Sequence, residues 1–303
     1  MAKPAGKRAL TLGQHLSIVG SRMFFGALTS AITFARGVQS EGWRRMRYGL
    51  LHDETLDHMA PEEQEGAQTH APVIFFHGGG WMMGTPDTYH HDLLFLAEAG
   101  YPVFNVDYPK APEHRHPELL QSVFKALTFI RANFPEAEAV HLMGDSAGGN
   151  LAVMAALILD NPQLFDAIDP RLKKSSKLPK VLSVTSIYGV MDRHTCLNSA
   201  FPGGDVMIES YAGPGALLKE VDADHAITPM DLKFKKHAPC LLVCGSSDPL
   251  VDSHALYERR LRNAGHTVTS HVYTGGIHGF FNFPESGPKA ACRRDILAFL
   301  AGL

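Results

Sequence analysis

Cysteine is scarce in this chain: Cys196, Cys240, Cys244 and Cys292 are the four among 303 residues. Their scattered spacing matches neither a disulfide framework nor a zinc knuckle. Cys240 and Cys244 share one apolar run, Cys-Leu-Leu-Val-Cys, and along an extended strand they lie too far apart for an unstrained bridge. Reduced thiols and a cytoplasmic location are the expectation. Grouped positive charge is also missing. The 28 Lys and Arg are outnumbered by 31 Asp and Glu, for a formal net charge of -3. With no long basic run, nucleic acid is excluded as a partner, because phosphate recognition needs clustered cations. Histidine is plentiful at 17, yet no HExxH or paired His/Cys spacing occurs, so no metal is expected. No uncharged apolar run is long enough to span a bilayer. Internal repeats and low-complexity tracts are absent as well.

The N-terminus resembles a signal peptide superficially, since Lys3, Lys7 and Arg8 precede Leu10, Leu12, Leu16, Ile18 and Val19. Gln14 and His15 interrupt that apolar stretch, Arg22 and Arg36 bracket the next, and no compact apolar region ends in a small-residue cleavage site. Residues 1–45 are therefore expected to form an amphipathic helical segment packed on the domain, with peripheral membrane contact as the second reading.

What is present is globular: 45% hydrophobic and 19% charged residues, enough for a sizeable core in one large α/β domain. Beyond Tyr48 short apolar runs alternate with longer amphipathic stretches. Strands are expected at Val73–Phe76, Val103–Val106, Val140–Met143, Val181–Ile187, Cys240–Cys244 and Thr267–Tyr273. Helices are expected over 88–99, 117–131, 146–159, 253–264 and 286–300. Such alternation implies a mostly parallel central sheet with helices on both faces, its site gathered at the strand C-termini. Residues 189–227 break the rhythm with Gly, Pro and scattered Phe201, Met207, Ile208 and Tyr211. That stretch is expected to lie over the site as a cap insertion, so that 46–188 and 228–303 form the catalytic domain.

Chemistry is concentrated in a few motifs. Gly144-Asp145-Ser146-Ala147-Gly148-Gly149 fits G-x-S-x-G between an expected strand and an expected helix. A nucleophile at so tight a turn sits in a strained conformation, and neighbouring side chains would collide there, hence the glycines. The helix N-terminus adds partial positive charge where an oxyanion forms. His77-Gly78-Gly79-Gly80 directly follows the first strand, where bare amides can complement that of Ala147. A serine needs a base, and in this arrangement the acid and then the histidine follow it in loops after late strands. His278, in Gly-Gly-Ile-His-Gly-Phe, and Asp248, in Gly-Ser-Ser-Asp-Pro-Leu, hold those positions. His254, His266 and His271 fall in helix, turn or strand, and the rival acid Asp252 lies a helical turn beyond its strand.

These motifs resemble the hormone-sensitive-lipase-like family of α/β-hydrolases, which includes many microbial carboxylesterases. HGGG at 77–80, GDSAGG at 144–149, DPLVD at 248–252 and HGF at 278–280 occur in the family's order. Tyr108-Pro109-Lys110-Ala111-Pro112-Glu113-His114 is similar to its Y-R-L-A-P-E-H element, and Thr228-Pro229 stands where Ser-Pro is common. The similarity spans about 72 to 300. It implies an α/β-hydrolase fold in which residues 1–45 and 189–227 build a helical cap. It further implies a Ser146, Asp248 and His278 triad, an oxyanion hole from Gly79, Gly80 and Ala147, and no cofactor. Two departures stand out. Pro109 and Lys110 replace Arg and Leu, removing an arginine from that loop, and Trp81 follows HGGG where Phe is more frequent. The HGG-x-W pattern also resembles arylformamidases of the same fold.

The expected activity is hydrolysis of short- to medium-chain acyl esters through an acyl-enzyme, with Trp81, Phe201, Met207, Tyr211 and Phe280 as candidate pocket residues. An amidase or arylformamidase with the same triad is the alternative, and a non-catalytic binding protein of this fold the distant one. A small-molecule acyl ester is the expected partner, with room left for a homodimer.

Overall fold

A computed structural model describes residues 11–36, 41–61, 70–174, 177–199, 201–213 and 226–303. Parts of both expected cap segments, 1–10, 37–40, 200 and 214–225, lie outside these residues.

The described strands form one eight-stranded sheet. They are β1 (Arg44–Arg47), β2 (Thr55–Met59), β3 (Val73–Phe76), β4 (Val103–Val106), β5 (Ala139–Asp145), β6 (Lys180–Ile187), β7 (Cys240–Gly245) and β8 (Val268–Tyr273). Their spatial order is β1-β2-β4-β3-β5-β6-β7-β8. The pairings β1–β2 and β2–β4 are antiparallel and all the others parallel. The β1–β2 hairpin was not expected from the sequence. β1 is Arg-Arg-Met-Arg, whose charges suit an exposed edge strand and hide any apolar alternation. β2 buries Asp57, which pairs with Arg45 at 2.7 Å and contacts His90 Nε2 at 2.8 Å.

Strand pleating sends alternate residues of the apolar runs to opposite faces. Ile74, Phe76, Phe104, Val106 and Leu142 join one core layer, beneath α3 (Glu118–Asn133), α4 (Ala147–Asp160) and α7 (Val251–Asn263). Val73, Phe75, Val103 and Met143 join the other, beneath α2 (His90–Glu98) and α8 (Gly287–Ala301). With both faces covered, β3, β4 and β7 are buried along their whole lengths. The α2 region starts earlier as a 3-10 turn at Pro86–Tyr89.

The chain leaves β3 for β4 on one side, while β5 pairs on its other side. That reversal opens a crevice at the C-terminal ends of β3 and β5, where ligands of open α/β sheets bind. Phe76 and Gly144 are register partners there, so the HGGG and GDSAGG loops leave the sheet side by side.

α1 (Leu12–Arg36) lies apart from the sheet, against the Pro86–Tyr89 turn and against α6 (Gly204–Ala212). Ile18 is buried, and Arg22 donates to the carbonyls of Met82 and Ala111 at 3.0 and 2.6 Å and pairs with Glu113. α5 (Arg193–Asn198) and α6 follow β6. Asn150 of α4 donates to the carbonyls of Val190 and Ile227, at 2.8 and 3.0 Å, and thereby holds both ends of the 189–227 stretch.

α8 is fastened to α2 by an ion pair out of water: Lys289 Nζ lies 2.6 Å from Asp92 and donates to the carbonyl of Phe283. Removing one partner of such a pair leaves the other charge buried. Lys289→Met should therefore cost about 3 kcal/mol of stability, read as a lower midpoint in denaturant; an unchanged midpoint would mean that Asp92 is compensated without the lysine.

Candidate active site

Ser146 sits at the turn from β5 into α4 with φ 51° and ψ −119°. A left-handed backbone is costly for a residue with a Cβ, and two contacts hold it. Its amide donates to the carbonyl of Ile187 at 2.8 Å. The following helix is drawn against β3 because residue 148 is glycine: a Cβ there would lie 1.9 Å from the carbonyl oxygen of Phe76. The turn delivers Ser146 Oγ to His278, whose Nε2 is 3.0 Å away. His278 Nδ1 is 2.8 Å from Asp248 Oδ2. The Asp248 side chain is buried, and its second oxygen accepts the amide of Leu250 at 2.8 Å, which fixes the carboxylate. The three residues expected from the motifs thus meet, across loops that follow β5, β7 and β8. Asp252 is exposed in the first turn of α7, and His254 bonds Ser270 instead.

The HGGG loop curls over the serine. Gly79 has φ +118°, and a Cβ there would stand 2.2 Å from the carbonyl oxygen of Met83. The amides of Gly79, Gly80 and Ala147 donate to no acceptor among the described residues, which leaves them available to an oxyanion. Behind them His77 is fully buried. Its Nδ1 is 2.7 Å from the carbonyl oxygen of Gly78, its Nε2 is 3.0 Å from Asp107, and it stacks on Tyr108. Burial holds the His77 pKa below its ordinary value. Lys110 contacts Asp107 and the Tyr108 carbonyl, and Arg22 reaches Ala111 and Glu113. These cations tie down the loop in which Pro109 stands at the family's arginine position.

A cavity of about 220 Å³ opens over the serine. It is lined by Gly78, Gly79, Gly80, Met83, Gly84, Thr88, Tyr89, Asp145, Ser146, Tyr188, Phe201, Met207, His278, Gly279, Asn282 and Phe283. Phe201 and Met207 are expected members, and Phe201 meets the His278 ring edge-on at 4.8 Å. Trp81, Tyr211 and Phe280 are not part of this wall, which corrects the sequence expectation. Trp81 stacks on Tyr211 at 4.6 Å, and Phe280 packs edge-on against Tyr188 and Tyr273; all three are buried. Apolar type identified them, but type does not tell which way a ring points. Tyr188, Asn282, Tyr89 and Phe283 were missed. Tyr188, with φ 39°, immediately follows β6, and position at a strand end is the signal that could have found it. Its hydroxyl donates to Asn282 Oδ1 at 2.9 Å.

Among the described residues Asp57, Asp87 and His90 bring potential metal-ligand atoms within 4.8 Å of one another. Arg45 pairs with both carboxylates at 2.7 and 2.8 Å and so already supplies the cation.

Asp145, beside the nucleophile, is a buried carboxyl that accepts the Gly78 amide at 2.6 Å and the Tyr89 hydroxyl at 3.2 Å. Burial pushes its pKa up to about 7 despite these bonds. A carboxyl that binds its proton more tightly folded than unfolded destabilises the fold above its folded pKa, and the penalty fades as pH falls toward the ordinary carboxyl range. Asp145→Asn keeps an acceptor for Gly78. It should raise the melting temperature most above pH 7 and hardly at all near pH ~4. A gain that does not vary with pH would contradict the assignment.

Comparison with known proteins agrees with this fold. A family model described as the alpha/beta hydrolase fold matches residues 73–282. The chain is 31% identical over 236 residues to carboxylesterase NlhH of Mycobacterium tuberculosis, covering 72% of this chain and 69% of that protein. It is 28% identical over 234 residues to an ethyl acetate hydrolase of Pseudomonas putida, covering 73% and 69%. The crystal structure of esterase B from Lactobacillus rhamnosis superposes with a TM-score of 0.81 over 96% of this chain and 95% of that one, at 21% identity, a likeness of fold alone. The chain belongs to the hormone-sensitive-lipase-like family of α/β-hydrolases.

Proposed function

We infer that the protein is a serine carboxylesterase acting on short- to medium-chain acyl esters. The observation that carries the reading is the unbroken contact from Ser146 Oγ through the His278 ring to buried Asp248, opening into a small cavity with few polar walls.

In the cycle, Ser146 Oγ attacks the ester carbonyl carbon and His278 Nε2 takes its proton. The carbonyl oxygen gains the negative charge beneath the amides of Gly79, Gly80 and Ala147. The tetrahedral adduct collapses, His278 protonates the departing alcohol, and Ser146 keeps the acyl group. Water attacks the acyl-enzyme by the same steps in reverse roles, releasing the acid. Asp248 keeps the Nδ1 proton facing itself, so that Nε2 is free to accept, and it stabilises the imidazolium. No cofactor takes part. The cavity, about 220 Å³, is smaller than the ~300 Å³ at which pockets for drug-sized ligands begin, which favours small acyl groups. Met207 and Phe201 come from the 189–227 stretch, and α6 rests on α1. Residues 1–45 and 189–227 are accordingly read as a cap that selects substrate. The four cysteines are free and buried, in keeping with a cytoplasmic setting.

Initial rates on p-nitrophenyl esters of rising acyl length, with the corresponding anilide as control, test the reading. Rates should peak at short or medium chains, with the anilide far slower. A preferred anilide would point to the amidase alternative. Ser146→Ala should abolish turnover in a folded protein. Asp248→Asn should lower kcat by about 10⁴, because the imidazole then favours the wrong tautomer. A loss nearer tenfold would remove Asp248 from the relay.

A further inference from the structure

Over the residues whose side chains are described, the N-terminal half of α1 turns an apolar stripe away from the protein. Gln14, Ile18 and Arg22 face the domain: Gln14 contacts Glu209 of α6, Ile18 is buried, and Arg22 holds the Met82 and Ala111 carbonyls. On the opposite side Leu12, Leu16, Val19 and Met23 are 76%, 64%, 53% and 71% exposed. Their spacing of four, three and four residues aligns them in a single stripe along the helix axis. Isolated exposed apolar residues are ordinary, but a continuous row of them marks a surface that meets something.

Charge identifies the partner. Residues 1–40 contain Lys3, Lys7, Arg8, Arg22 and Arg36 and no acidic residue; the first is Glu41. The chain as a whole carries more acid than base, so its positive excess is confined to the segment that bears the stripe. We propose that this face of α1 docks the enzyme on an anionic lipid surface, the leucine, valine and methionine side chains entering the acyl boundary while the segment's cations other than Arg22, which Glu113 already pairs, meet headgroup charge. The helix lies in the plane of such a surface, since no described helix is long and apolar enough to cross a membrane. A second copy of the chain is a poorer occupant. Two-fold pairing of the stripes would set one acid-free, cationic segment against another, and four side chains fall well short of the roughly 800 Å² per partner that a stable interface buries.

The experiment is sedimentation of the full chain with vesicles of phosphatidylcholine alone or mixed with phosphatidylglycerol, at low and high salt. The protein should pellet with the phosphatidylglycerol vesicles, less so at high salt, and weakly with phosphatidylcholine alone. Leu16→Asp/Met23→Asp should bind the anionic vesicles at least about tenfold more weakly, while its melting temperature and circular dichroism stay at the wild-type values. Those two readings show the variant to be folded without relying on the lipid result. Absence of pelleting by the wild type, equal pelleting of the variant, or indifference to lipid charge would each overturn the proposal. So would light scattering that showed a wild-type dimer dissociated by the same two substitutions.

Discussion

The bond from the Ser146 amide to the carbonyl of Ile187 joins the nucleophile's turn to the strand beside it. A serine at φ 51° would relax if its neighbours allowed it, because its Cβ crowds the backbone. β6 holds it from one side through Ile187, and the close passage of residue 148 over Phe76 holds it from the other through β3. The strain is thus maintained by three adjacent strands of the sheet, β3, β5 and β6, whose C-terminal ends are buried. His278, Asp248 and the HGGG amides are all placed with respect to an oxygen whose position this turn sets.

The loop opposite the serine is secured with similar care. His77 fastens the Gly78 carbonyl, Asp145 takes the Gly78 amide, and the Tyr108 hydroxyl donates to the His77 carbonyl. Lys110 is the cation of this loop. It neutralises Asp107 and lies 3.4 Å from His77 Nε2, so a nearby cation favours the neutral imidazole. Pro109 leaves no arginine in this element, but Arg22 reaches in from α1 to bind the same stretch of chain. The N-terminal helix is in this way wired to the back of the site.

Much of this was legible in the sequence because the chemistry there needs rare residue patterns. Glycine runs at strand ends, a serine between them, and an acid and a histidine after late strands leave few alternatives, and the parallel core declares itself through continuous apolar runs such as Val-Ile-Phe-Phe. The hairpin was hidden because β1 is nearly all arginine and β2 contains the polar Asp57, buried by pairing, and His58, half-buried by stacking. Pocket lining was half legible. Phe201 and Met207 reach the cavity, whereas Trp81 and Tyr211 satisfy each other by stacking. Which of two faces an aromatic ring presents depends on neighbours brought from distant sequence, and no local pattern encodes that.

β8 carries the loop with His278 and is the edge strand farthest from β1. The serine and its base are 132 residues apart along the chain. During synthesis the nucleophile's turn can form long before its partner emerges, and an unassisted serine hydroxyl is a poor reagent. The base therefore depends on the pairing of β8 with β7, so the serine's reactivity is tied to the outermost parallel strand of the sheet.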